Sequence, residues 1–176
     1  MVSKGLPSRE QAIELLQKNK CPKKVIAHCK AVADLSVEIA SKLKSKNFKV
    51  NPQLVESGAL LHDIGRSKSH GVDHGLIGAK IVESEGLPNE VADIVKRHVG
   101  GGISSQEAMR FGWPKDDYMP QTIEEKVVSY ADKRIDKEKC VPIDFEIKRL
   151  SVEHKEAAER VRNLHEEIKG LLGSEP

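Results

Sequence analysis

The sequence predicts an all-α protein, a single helical domain spanning residues 1–176. Three observations carry this. Apolar residues recur at helical spacing nearly throughout. No alternating apolar–polar stretch competes with that period. Helix-start signatures are followed, at helix length, by glycine or proline stops.

Ser8 and Gln11 form a capping-box pattern for a first helix through about Asn19. Pro22 opens a long second helix to about Lys44, with Val25, His28, Val32, Leu35 and Ile39 on one stripe. Asn51-Pro52 opens a third through Leu61, with a stop at Gly65. Asp73 is the expected cap of a fourth, ended by Gly86, and Pro88 starts a fifth, ended by the glycines after His98. Ser104 with Glu107, and Thr122 with Glu125, repeat the capping pattern for a short sixth helix and for a seventh through about Lys137. Asp144 begins a long last helix to about Lys169. The one long loop, 112–121, carries Trp113.

Hydrophobic residues make up 38% and charged residues 32%, a globular balance. The net charge of +2 comes from 29 basic and 27 acidic residues, which argues against nucleic acid as the main partner. No apolar run approaches the roughly 20 residues of a membrane span. The opening stretch MVSKGLPSREQ lacks the apolar centre of an export signal, so a cytoplasmic protein is expected. Cys21, Cys29 and Cys140 are odd in number and lack CxxC spacing, so they read as reduced thiols. Aromatics at 3% leave the core to Val, Ile, Leu and Ala.

The dipeptide His62-Asp63 means little alone, since composition gives roughly 0.4 such pairs by chance. Its setting carries more. Asp63 ends the apolar run LVESGALL, and a buried carboxylate must be paired or metal-bound. His28, His74, His98 and Asp132 each share a helical face with apolar residues, so five segments turn ligand-type groups inward. His154 and His165 lie on an apolar stripe too, with Leu150, Val161 and Ile168. Inward position therefore does not by itself identify a ligand.

His28, then LLHDIGR (60–66), HGLIGAKIV (74–82), Arg97-His98 and YADK (130–133) together resemble the HD-domain phosphohydrolase superfamily, in its HDIG branch. The resemblance runs over about 21–137 and excludes the helix expected over about 144–170. It implies an all-helical metal-binding fold. His28, His62, Asp63 and Asp132 would hold one divalent ion, and His74 and His98 a second, with Asp63 bridging. The extra pair is similar to the HD-type hydrolases of diadenosine tetraphosphate. Fe, Mn, Co, Ni, Zn and Mg all suit such donors.

The resemblance implies metal-dependent hydrolysis of a phosphoester or phosphoanhydride bond, in a nucleotide, by a water whose pKa the ions lower to about 7. Asp63, Arg66 and Lys133 are the expected catalytic residues. Arg66 stands where the family usually has Lys, which keeps the charge and changes its geometry. Arg66, Lys133, the Gly100-Gly101-Gly102 run and Ser104 at the following helix start are the expected phosphate contacts. For each a plainer reading stands beside it: surface cations, a flexible linker, an ordinary cap. His70 reads as surface and Trp113 as loop packing. A metal-stabilised nucleotide-binding module without turnover is the alternative function, and an RNA-binding domain a third. The last helix offers a dimer contact.

Overall fold

Helix starts are fixed by groups that satisfy the first unpaired N–H donors. The computed structural model describes residues 5–174 and 176. The remainder of the expected 1–176 domain, including the first four residues of the stretch read for an export signal, lies outside the described residues. Helix α1, Arg9–Lys18, begins with the full Ser8–Gln11 capping box. Pro22 precedes α2, Lys23–Ser45. Asn51 accepts from the N–H groups of Gln53 and Leu54 and opens α3, Pro52–Leu61. Asp73 precedes α4, His74–Ser84, yet its carboxylate accepts from the Ser69 hydroxyl at 2.6 Å rather than capping the helix. Pro88 precedes α5, Asn89–Arg97. The Ser104–Glu107 box opens α6, Ser105–Arg110.

Thr122 caps α7, Ile123–Arg134. The Glu125 carboxylate does not complete that box; it binds Arg97 and the Gln121 N–H instead. α7 stops at Arg134 rather than near Lys137, because the chain turns into a hairpin. Strand β1, Ile135–Asp136, pairs antiparallel with β2, Lys139–Cys140. Lys137 at its turn has φ +59°.

The single last helix expected from Asp144 is two helices. α8, Ile143–Glu153, and α9, Lys155–Leu172, meet at His154, where φ −134° and ψ 63° break the spiral. Ile143 and Ile147 on α8 and Ala158 and Val161 on α9 are buried in the same core. A straight helix, rising about 1.5 Å per residue, would carry one set away from it. The break leaves His154 exposed, against expectation, while His165 is buried with its Nδ1 3.1 Å from the Tyr130 hydroxyl. Val161, Leu164, Ile168 and Leu172 are buried within the domain.

α2 packs on α3 and α7, α3 on α5, α4 on α5, and α9 on α7. The core is aliphatic: Val32, Ile39, Leu43, Leu60, Leu61 and Ile94 are each almost fully buried, worth about 1.5–3 kcal/mol apiece. Trp113 packs on Tyr118 in a small separate cluster that holds the 112–121 loop down. Among the described residues no helix is long and apolar enough to cross a membrane.

Gly65, read as the stop of the third helix, lies beyond its end at Leu61. It has no left-handed φ and lies inside a 3₁₀ turn, Ile64–Ser67. A Cβ there would meet the His74 carbonyl oxygen at 1.9 Å and the Gly78 nitrogen at 2.7 Å. The residue is small so that the turn after His62-Asp63 can press against α4.

The glycine run after His98 is a packing turn. Gly100, Gly101 and Gly102 all have positive φ, and a Cβ on Gly101 would lie 3.2 Å from Val161 Cγ2 and 3.4 Å from Arg160 Cβ. Gly100, Gly101, Gly102 and Ser104, the expected phosphate contacts, do not line the cavity beside Asp63 and Asp132. The first three face α9 and the Met119-Pro120 segment, and Ser104 is engaged in its own cap. Gly101→Val should lower stability by about 2 kcal/mol through strain and crowding. Thermal melting would show the loss, and an unchanged metal content would show that the centre is untouched.

Candidate metal centre

Five chain segments bring the centre together. His28 is in the second turn of α2, His62 follows the last residue of α3, and Asp63 sits in the next turn with φ −101° and ψ 13°. His74 is the first residue of α4, His98 follows the end of α5, and Asp132 lies in the last turn of α7. His62, Asp63, His74 and His98 are buried, and His28 and Asp132 are partly so.

Every imidazole is aimed in the same way. The Nδ1 atoms of His62, His74 and His98 each lie 2.7 Å from the carbonyl of the residue three before, Ala59, Gly71 and Val95. His28 Nδ1 lies 2.9 Å from the Lys137 carbonyl. A carbonyl only accepts, so Nδ1 carries the proton and the lone pair of the neutral ring is on Nε2. The Nε2 atoms converge. His28 and His62 approach Asp132 Oδ1 at 2.9 and 3.4 Å. His74 and His98 approach Asp63 Oδ1 at 3.1 and 3.5 Å and stand 3.1 Å from each other. His62 Nε2 is 3.8 Å from Asp63 Oδ2.

Burial opposes charge on Asp63, yet His62, His74 and His98 overcome it and hold the carboxyl well below its usual range. Burial likewise opposes charge on Asp132, which Lys133, His28 and His62 hold well below that range. Burial is also the main effect at His98, whose pKa falls to about 4 and leaves the ring neutral. At His62 burial is outweighed by Cys29, Asp63 and Asp132, which raise its pKa. His62 Nε2 and Asp63 Oδ1 are buried and make no hydrogen bond. Two donor sets reach a common point, His28–His62–Asp132 and His62–Asp63–His98. Orphaned buried donors of this chemistry fit a divalent cation.

Arg66 and Lys133 stand beside the cluster. Arg66 donates through Nε to Asp63 Oδ2 at 2.7 Å, and Lys133 lies against Asp132 Oδ2 at 2.5 Å. Both line a cavity of about 200 Å³ that opens over His28, Asp63 and Asp132. His70 is exposed; its carbonyl is 3.5 Å from Arg66 Nη1. The far wall was not foreseen. The β1–β2 turn brings Asp136 and Lys137, and α8 brings Phe145, Glu146 and Arg149. The only trace of this in the sequence is the helical i, i+3 spacing of Glu146 and Arg149.

The family model described as HD domain matches residues 25–135. A protein of uncharacterised function from Methanocaldococcus jannaschii is 43% identical over 167 residues, 93% of this chain and 98% of the relative. The tRNA (cytidine(56)-2'-O)-methyltransferase of Thermoplasma volcanium is 38% identical over 173 residues, 98% of this chain. The chain spans about half of that enzyme's length, 50%. Among solved structures, the HD domain of the L. monocytogenes phosphodiesterase PgpH in complex with cyclic-di-AMP superposes with a TM-score of 0.57. That match is 19% identical, covers 91% of this chain and 96% of the other, and is a likeness of fold. All six converging side chains fall inside the matched segment, and the chain belongs to the HD domain family.

Proposed function

We propose that the protein hydrolyses a phosphoester or phosphoanhydride bond, in a nucleotide, using divalent ions held by His28, His62, Asp63, His74, His98 and Asp132. One observation carries this reading. Imidazole lone pairs and carboxylate oxygens face each other at 2.9 to 3.8 Å, a repulsive arrangement unless cations stand between them. Donors about 2.1 Å from a first-row ion sit roughly 3.0–3.4 Å apart, and the His62–Asp132 and His74–Asp63 separations, 3.4 and 3.1 Å, fall in that range.

His28, His62, Asp132 and Asp63 Oδ2 form one donor set, and His74, His98 and Asp63 Oδ1 a second. The order of the six residues and the unbroken His62-Asp63-Ile64-Gly65 support the HDIG branch. They also support a likeness to the hydrolases of diadenosine tetraphosphate. Bound ions would supply Lewis acidity and a water acidified toward neutral pH.

The protein's own groups do the rest. Asp63 is kept anionic and fixed by Arg66. Arg66 and Lys133 line the cavity, where their charge can neutralise that of a phosphoryl group. Arg66, Lys133, Lys137 and Arg149 balance Asp63, Asp132, Asp136 and Glu146 around it, so each divalent ion leaves it net positive.

Elemental analysis after reconstitution should find about two divalent ions per chain. Hydrolysis of bis-p-nitrophenyl phosphate with Mn²⁺ should stop on chelation. One ion or fewer would remove the second donor set, and nucleotide binding without turnover would favour the binding-module reading. A second reading draws on the Thermoplasma relative, whose name places the counterpart of this chain in a tRNA-modifying enzyme. On that reading the phosphate ester belongs to RNA, and short oligoribonucleotides would be turned over in preference to mononucleotides.

A further inference from the structure

Phosphate at the ions leaves open what recognises the rest of the substrate. The cavity, about 200 Å³, is smaller than the roughly 300–1,000 Å³ of pockets that enclose whole small molecules. It can admit a phosphoryl group, and the remainder must rest at its mouth. That mouth is built by residues beyond the matched family segment 25–135, chiefly α8.

Phe145 is the unusual group there. The chain has only six aromatic residues of the Phe, Tyr and Trp types. Tyr118 and Tyr130 are buried and Trp113 packs on Tyr118; of the two exposed phenylalanines, Phe111, 47% exposed, lies against Trp113 at 5.3 Å, while Phe145, 49% exposed, stands beside a polar cavity. A large apolar side chain left in water at such a place is informative. Its position is held from below, because Ile143 and Ile147 are buried and fix the helix. Four residues on, Arg149 shares the outer face of α8 with Phe145. Glu146, itself buried, grips that guanidinium through Nε at 2.8 Å and Nη2 at 2.9 Å. Nη1 keeps no hydrogen-bond partner among the described residues. A flat ring and a fixed cation thus stand side by side at the entrance to an anion-accepting site.

We propose that α8 recognises a nucleotide, with the base stacked on Phe145 and the phosphoribosyl end passing Arg149 into the cavity. The placement of the phosphate rests on the hydrolase reading above; the base contact does not. Equilibrium titrations of the Mn²⁺-loaded full chain with adenosine 5′-phosphorothioate and with ribose 5-phosphate separate the two. The adenosine compound should bind about tenfold more tightly or better, as base–aromatic stacking provides. Phe145→Ala should abolish that preference while leaving ribose 5-phosphate affinity within twofold, and Phe145→Trp should retain it. Equal affinities in the parent, no binding of either ligand, or an undiminished preference in Phe145→Ala would each overturn the proposal. If the preference is present but bis-p-nitrophenyl phosphate is not hydrolysed, the hydrolase reading fails and the recognition surface stands.

Discussion

Asp63→Ala is expected to abolish turnover, with kcat/KM falling by at least about a thousandfold, or roughly 4 kcal/mol of transition-state stabilisation. Asp63 Oδ1 faces His74 and His98 while Oδ2 faces His62 and Arg66, so one substitution removes a donor from both sets. Ion content should fall with it, by about one or more per chain on elemental analysis. His154→Ala is the matched control. That imidazole is exposed at the α8–α9 break, and its loss should leave activity within a few-fold. A metal-replete, active Asp63→Ala protein would dismiss the assignment of the centre.

Gly65→Ala should be the most damaging single-methyl change in the chain. The added carbon would sit 1.9 Å from the His74 carbonyl oxygen, a main-chain atom at the start of α4 that cannot step aside. Separating the 3₁₀ turn from α4 should cost about 3 kcal/mol or more. At about 2–4 °C per kcal/mol for a domain of this size, the melting temperature should drop by roughly 6–12 °C. Gly86→Ala calibrates the result. Gly86 has φ +72° but nothing within 4 Å, so it should lose only the roughly 1 kcal/mol of left-handed strain. Equal melting of Gly65→Ala and the parent would show that the contact relaxes without cost. Because the same turn follows His62-Asp63 and His74 begins α4, surviving Gly65→Ala protein should also bind the ions more weakly.

Local signals carried much of the architecture. Ser8, Asn51, Ser104 and Thr122 accept the N–H bonds that their positions suggested, because capping is decided within four residues. What failed depended on distant chain. His154 breaks a helix with neither glycine nor proline beside it, because two apolar segments compete for one core. Gly100–Gly102 reads equally as an anion turn or a packing turn until α9 is laid against it. For the same reason the six converging side chains could be nominated from order and periodicity, while Phe145, Glu146 and Arg149 could not. Their place at the cavity follows from the hairpin and the turn into α8, which leave no periodic trace.

The orientation of the histidines sorts them into two kinds. His62, His74 and His98 are each steadied by a carbonyl only three residues back, so those arms are set as soon as their own helix ends form. His28 is steadied by Lys137, 109 residues away at the hairpin tip. Its aim is therefore a tertiary property. Lys137, whose carbonyl steadies His28, also lines the cavity beside Asp136, so one hairpin serves both the fourth arm and the entrance wall. By reciprocity, whatever effect a molecule seated at the entrance has on a cation at His28, the cation has equally on that molecule. Depleting the protein of cations should accordingly loosen residues 135–149 first, as faster amide hydrogen exchange there than in α3 or α5.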